Sequence, residues 1–411
     1  MRGLPQDASL SLYLHIPFCD SLCWFCGCHT RVVNKYAPIS TYLSSLEREI
    51  GLVSELLGSK RRVSHIHWGG GSPTILSPAD TRRLGTLLRG YFDVDKACEF
   101  AVEIDPRGLK DEQIEALAEA GVNRASIGVQ ELDPKVQWAI NRVQPFATTA
   151  SATRRLRAAG IAALNIDLMY GLPHQTRAHL QHTIETVLTL APERFAVFGY
   201  AHVPHMKRHQ EQIDATTLPC VDERETQFEL AHTLLSKAGY CAVGLDHFAL
   251  PGDPLAIAQR NGTLSRNFQG YTTDRADALI GFGASAIGAL PSGYVQNTPD
   301  VPAYMRAIEA GALGTSRGVA LSEDDRAQRA IIERLMCDLA VDLDQIGAAF
   351  GQSRADFETE ISEIIREYGE LAIVEGGKIT VPSSKRANVR LVCAVFDRYL
   401  GKTHAVHALA V

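Results

Sequence analysis

The sequence shows no surplus of positive charge: 41 Lys and Arg stand against 47 Asp and Glu, a formal net charge of −6. That removes the broad basic footprint of a nucleic-acid partner, although local basic patches can still serve an anionic small molecule. Long apolar runs are missing too. The longest apolar-looking stretch, Ala278 to Leu290, is glycine-rich, carries Ser285, and falls short of the roughly 20 residues a bilayer demands. Met1 to Ser11 has no apolar core of a secretory signal and no small-residue cleavage site. Repeats and low-complexity tracts are absent. There is also no sign of a disulfide framework, because the nine cysteines are odd in number and five of them are scattered. Those five (Cys98, Cys220, Cys241, Cys337, Cys393) are expected to be buried small hydrophobes. Together these absences point to a cytoplasmic protein without a membrane span.

What remains is dense. Cys19, Cys23, Cys26 and Cys28 lie within ten residues, the first three spaced C-x3-C-x2-C. Such a triplet can hold three irons of a [4Fe–4S] cube and leave the fourth open to chelate a small molecule. A structural zinc site would instead show C-x2-C pairs with a distant second pair, and the sequence has no second pair.

Six strand-like runs alternate with helical ones: Leu12–Ile16, Val63–Trp68, Phe100–Ile104, Ala125–Val129, Leu164–Met169 and Phe195–Tyr200. Most are continuous apolar or β-branched runs, as parallel strands buried on both faces require. The intervening helices have readable ends. Ser40 is expected to cap one that stops at Gly58, Leu109–Ala120 stops at Gly121, and Thr148–Ala159 stops at Gly160. The pattern predicts an α/β fold, a partial (β/α)6 TIM-like barrel with its post-strand loops gathered at one rim. After the sixth strand, Asp222 and Glu225 read as a capping box. A strand-like Cys241–Leu245 follows, and then the glycine-rich 281–288. From about residue 311 the chain reads as helical, with Ala327–Leu339, Ala355–Glu367 and Asn388–Tyr399. A strand pair near Leu371–Val374 and Lys378–Val381 gives this part a winged-helix-like character. The expected division is a catalytic domain over 1–310 and a smaller, mostly helical C-terminal domain over 311–411.

The first strand feeds the cysteine loop, with His15 and His29 on its flanks. The second ends in Gly69, Gly70, Gly71 and Ser72, whose backbone can approach a ligand closely. The third ends at Glu103 and Asp105 and the fourth at Gln130, with Arg142 in the loop beyond. The fifth presents Asp167, and the sixth ends Tyr200-Ala201-His202. Acceptor-only carboxylates here suit ribose hydroxyls or an ammonium group.

These residues carry a resemblance. The cysteine triplet with Phe25 resembles the signature of the radical S-adenosylmethionine (SAM) enzymes. The ordered set His15-Ile-Pro-Phe-Cys19, Cys28, Trp68-Gly-Gly-Gly71, Glu103-Ile-Asp-Pro-Arg107, Asn165-Ile-Asp-Leu168, Tyr170-Gly-Leu-Pro173, Arg266 to Thr273 and Cys393 to Leu400 is similar to the oxygen-independent coproporphyrinogen III oxidases. The resemblance implies one [4Fe–4S] cluster on Cys19, Cys23 and Cys26, with SAM on the open iron held by Tyr13, Gly70, Glu103 and Ile287. It implies a second SAM against Phe25, Gly71, Ser72, Gln130, Arg142, Asp167 and Ala201. Cys28, not an iron ligand, and Gln269 would stand near the reacting centre. The implied reaction turns two propionates of coproporphyrinogen III into vinyl groups, giving protoporphyrinogen IX. Reduced flavodoxin or ferredoxin is the expected electron donor, and the chain is expected to be a monomer. Arg266 and Arg107 are candidates for the substrate's carboxylates.

Only eighteen residues precede Cys19, fewer than the helical extension of the family would need, which puts closure over the site in question. Two other readings share the cofactor loop: a haem-binding trafficking protein, and a haem-modifying enzyme of the radical SAM methyltransferase type. Cys28 and the segment from Arg266 to Thr273 favour the oxidase.

Overall fold

A computed structural model describes residues 3–400. The chain divides into two compact units, one of residues 1–167, 190–192 and 274–320, the other of 168–189, 193–273 and 321–411.

In the first unit, β1 (Leu10–Ile16) pairs in parallel with β2 (Arg62–Gly70), β2 with β3 (Asp93–Ile104), and β3 with β4 (Arg124–Gln130). Leu10, Leu12, Leu14 and Ile16 are wholly buried on one face of β1 and Ser11 and His15 are buried on the other, so the strand is covered on both faces. Trp68 packs edge-on against Phe100 at 5.1 Å. The strand β5 (Ala163–Tyr170) passes from the first unit into the second, and β6 (Arg194–Gly199) belongs to the second. All six expected barrel strands are present, β3 beginning seven residues earlier than its apolar run suggested. Each is followed by a helix: Ala37–Leu57, Pro78–Tyr91, Asp111–Ala120, Phe146–Ala158, Arg177–Leu188 and Val221–Lys237. Gly85 lets the second and third of these helices touch, since a Cβ there would sit 2.8 Å from that of Ala120.

The other edge of β1 pairs in parallel with Ala278–Phe282, setting Gly281 beside Tyr13. The chain then returns antiparallel through Ile287–Leu290, Gly293–Asn297 and Thr315–Ala320. The glycine-rich 281–288 therefore comprises two strand ends and the turn joining them, its close packing forced by the approach of Gly281 to the Ile287 carbonyl, 2.5 Å from where a Cβ would stand.

In the second unit, β6 pairs antiparallel with His247–Ala249, which pairs with Cys241–Val243. Tyr271 is buried beneath them, accepting from Leu245 N–H at 2.8 Å and donating to the Met336 carbonyl at 2.8 Å. Helix Glu323–Asp338 and a three-stranded sheet of Ala340–Asp342, Lys378–Thr380 and Ile373–Glu375 complete it.

Several ends differ from expectation. The first helix starts at Ala37, not after Ser40, because Pro38 fits a first turn whose N–H groups are unbonded anyway. The capping box lies two residues earlier, with Glu223 accepting from the Cys220 N–H at 2.9 Å. Cys220 is consequently exposed and Cys241 half-buried, whereas Cys98, Cys337 and Cys393 are buried as expected. The last helix covers only Val389–Val395, because Asp397 draws the amides of Tyr399 and Leu400 out of helical pairing. Among the described residues, no helix is long and apolar enough to cross a membrane.

Candidate functional site

The loop after β1 is anchored at both ends. Gly71 N–H donates to the Ile16 carbonyl and Ser72 N–H to the Phe18 carbonyl, both at 2.8 Å, while Trp24 N–H reaches the Ile140 carbonyl. Within it Cys19 Sγ lies 3.1 Å from Thr30 Oγ1, and the Cys28 amide points at Cys26 Sγ from 3.4 Å. Burial pushes the Cys19 thiol up to about 11, with Thr30 partly offsetting it and the neighbouring thiols of Cys26 and Cys23 adding to it. Cys28 stands exposed beside them. Among the described residues no three ligating side chains converge on one point. In a cube, each cysteine binds a different iron, so convergence is not needed.

Two guanidinium groups approach Cys23. Arg107 Nη2 and Arg142 Nη1 each lie 3.4 Å from its sulfur. Both also bind Asp105: Arg107 at 2.6 Å and Arg142 at 3.2 Å. Burial works to raise the Asp105 carboxyl, but these two cations hold it below the usual carboxylate range. Arg107 is thus engaged inside the first unit and is not a free anchor for a substrate. Arg142 is buried, gives Nη2 to the Gly128 carbonyl at 2.8 Å, and keeps an Nε that is buried without a partner. That orphan donor fits a missing acidic ligand.

Glu103 keeps 39% of its side-chain surface accessible. It accepts from His67 at 3.2 Å and from the Gly70 amide at 3.1 Å. Burial would raise its carboxyl; His67 and the Gly70 amide outweigh that and leave it lowered. An ionised, half-open carboxylate suits an ammonium group. Burial lowers His15, so its ring is neutral. Its Nε2 must donate to the His29 carbonyl at 2.8 Å, which leaves Nδ1 to accept from Tyr13 Oη at 3.0 Å.

The three glycines are required by protein neighbours. A Cβ on Gly69 would stand 2.6 Å from the Glu103 carboxylate, one on Gly70 2.6 Å from His15, and one on Gly71 2.3 Å from the Phe18 carbonyl. They draw the cysteine loop, β2 and Glu103 into one cradle. Ser72 is buried, 2.8 Å from Thr74. Tyr13 pairs with Gly281, and Gly281 backs onto Ile287, so these expected SAM neighbours are adjacent. At the end of β4, Gln130 has φ of 68°, a left-handed conformation that a non-glycine residue adopts at a cost. Its amide and the Arg142 guanidinium both flank Gly128. Asp167 accepts from Ser126 at 2.8 Å and Asn165 at 2.6 Å. Phe25 is half-buried in the loop.

Of the expected site residues, Ala201, Gln269 and the substrate candidate Arg266 lie in the second unit and the rest in the first. Ala201 follows β6, its carbonyl accepting from Gln210 at 3.2 Å. Gln269 is in the turn between Ser265–Asn267 and Gly270–Thr272, its amide bonded to Asn267 Oδ1 at 2.9 Å. Sequence reasoning missed His67, and it missed that Arg107 and Arg142, both named as candidates, meet at Asp105 and Cys23. The Asp105-Pro-Arg107 spacing was visible, but its link to Cys23 was not.

Residues 13–187 match the radical SAM superfamily. A protein named oxygen-independent coproporphyrinogen III oxidase from Bradyrhizobium diazoefficiens is 47% identical over 412 residues, covering 100% of this chain and 92% of its own length. The chain belongs to the oxygen-independent coproporphyrinogen III oxidase family. Another member, of the same name, from Pseudomonas aeruginosa is 38% identical over 95% of the chain and 86% of its own length. The solved structure of coproporphyrinogen III oxidase from Escherichia coli, described as a radical SAM enzyme, is similar with a TM-score of 0.93 at 37% identity. It covers 97% of this chain and 92% of that one. The six strand–helix repeats are thus the partial barrel of this family.

Proposed function

We propose that this protein is an oxidoreductase that converts two propionates of coproporphyrinogen III to vinyl groups, giving protoporphyrinogen IX for haem synthesis. Each conversion removes a hydrogen atom from the propionate β-carbon, one electron and carbon dioxide. The observation that carries this reading is near-full-length identity to relatives so named, on a chain that keeps the cysteine loop and its two guanidinium partners. When bound, a [4Fe–4S] cluster and SAM supply the one-electron chemistry that removes the hydrogen atom.

The chain's own residues bind and orient. Cys19, Cys23 and Cys26 hold the irons. Glu103, Tyr13, Gly70 and Ile287 hold the SAM on the open iron, with the ionised Glu103 facing its ammonium group. A second SAM falls to Phe25, Gly71, Ser72, Gln130, Asp167, Ala201 and Arg142, whose orphan Nε suits a carboxylate. Cys28, an exposed thiol outside the ligand set, and Gln269 act near the reacting carbon. Residues 1–310 form the catalytic part and 311–411 the appendage. The same proposal includes a cytoplasmic monomer that takes electrons from reduced flavodoxin or ferredoxin.

Anaerobic incubation with coproporphyrinogen III, SAM and a reductant, followed by porphyrin analysis, tests this. Divinyl product is expected. Tight haem retention with no vinyl product would instead make the protein a haem carrier.

A further inference from the structure

The second unit contains a cavity of about 680 Å³, within the roughly 300–1,000 Å³ of small-molecule sites. Aromatic side chains, among them Tyr170, Phe198 and Tyr200, and aliphatic ones make up most of its lining, into which Arg224, Arg266, Arg390, Asp246 and Asp397 bring charge.

The charges do not cancel. Asp246 is occupied by His247 at 2.8 Å and by Arg390 at 3.6 Å. Asp397 spends its Oδ1 on the amides of Tyr399 and Leu400. Among the described residues, neither the Arg224 nor the Arg266 guanidinium is within ion-pair distance of a carboxylate; Arg266 acts on Asp246 only through space and gives its backbone N–H to Glu333 at 3.1 Å. Arg224 gives Nη1 to the Tyr200 carbonyl at 2.9 Å and leaves Nε buried without a partner. Arg266 lies 5.8 Å from the centre of the Tyr271 ring. A guanidinium fork with no internal acid is a site for carboxylate from outside, and an aromatic wall suits a large, mostly apolar body.

We infer that this cavity anchors the tetrapyrrole through the propionates that do not react, with Arg224, Arg266 and Arg390 as their partners. This rests on the reading above and adds the substrate contacts to it. Remote carboxylates fixed in this way hold the macrocycle in one orientation, the purpose for which binding energy away from the reacting carbon is used.

The test is a fluorescence titration of the reconstituted holoenzyme with coproporphyrin III, the stable oxidised macrocycle, and with its tetramethyl ester. Arg224→Gln is expected to weaken binding of the acid by roughly ten-fold, the loss of a hydrogen bond to a charged group. The double variant Arg266→Gln/Arg390→Gln, at two exposed side chains, should weaken it by a similar factor, each contributing roughly three-fold. The ester should bind weakly to every form. Unchanged affinity in these variants, equal binding of acid and ester, or full displacement of the porphyrin by SAM would overturn the inference. Wild-type turnover with an arginine-independent KM would remove the anchor and leave the proposed reaction standing. Arginine-dependent binding without turnover would do the reverse.

Discussion

Around the cysteine loop, Arg107 and Arg142 share Asp105, and Glu103 rests on His67 and Gly70, so these charges are met by the chain itself, Arg142 keeping only its Nε free. In the cavity of the second unit, Arg224 and Arg266 have no such acid among the described residues, although Asp246 and Asp397 are there. The first arrangement is set before any ligand arrives, as a cradle for a permanent cofactor must be. The second leaves its charge to be completed from outside, as a site that exchanges substrate and product does. Internal pairing thus marks structure prepared in advance, and missing pairing marks recognition.

The largest expected effect tests the prepared side. Cys19→Ala, Cys23→Ala or Cys26→Ala should each abolish the iron of an anaerobic preparation, about four atoms per chain by analysis. Cys28→Ala should keep the iron and lose turnover. Iron surviving in any of the first three would break the assignment of the triplet.

A smaller effect asks whether Asp105 holds the cradle together. Asp105→Asn would leave two guanidinium groups beside Cys23 without a charge partner, making the first unit resemble the second. Chemical denaturation should show a loss of about 2–3 kcal/mol, the scale of breaking a largely buried pair. An unchanged midpoint would mean that the triad does not prepare the site.

The smallest effect lies behind the cradle. Glu49 is buried and accepts from Gly283, Asn297 and Tyr304, each at 2.7 Å, all neutral donors. Burial pushes its carboxyl up to about 7 despite these bonds. A carboxyl raised on folding binds more protons in the native state. Its stabilising contribution is therefore complete below the ordinary carboxyl range and fades as pH rises through about 7. Stability should fall by on the order of 2 kcal/mol between about pH 4.5 and pH 7.5, and Glu49→Gln should flatten that slope. The same slope in both proteins would place the titrating group elsewhere.

The barrel was legible because short strand-like runs alternate with helices whose ends are marked by glycine, as at Gly58 and Gly121, and the cysteine loop because ligand spacing is local. Thr315–Ala320 was not, since all six residues are exposed and no apolar pattern betrays a strand. Gln130 and Ser285 adopt positive φ without being glycine or asparagine, so no residue type announces those turns. The glycines after β2 were readable as close approach, but their neighbours proved to be Glu103, His15 and Phe18. Arg107 binds Asp105 two positions away, a pairing within reach of the sequence. The meeting of Arg142 with Cys23 spans 119 positions and exists only in the fold.

The most direct test of the account supplies coproporphyrinogen III deuterated at the propionate β-carbons to the reduced holoenzyme with SAM, without oxygen. The account predicts divinyl porphyrinogen together with deuterium in the 5′-deoxyadenosine released. 5′-Deoxyadenosine free of deuterium, with the propionates intact, would contradict it.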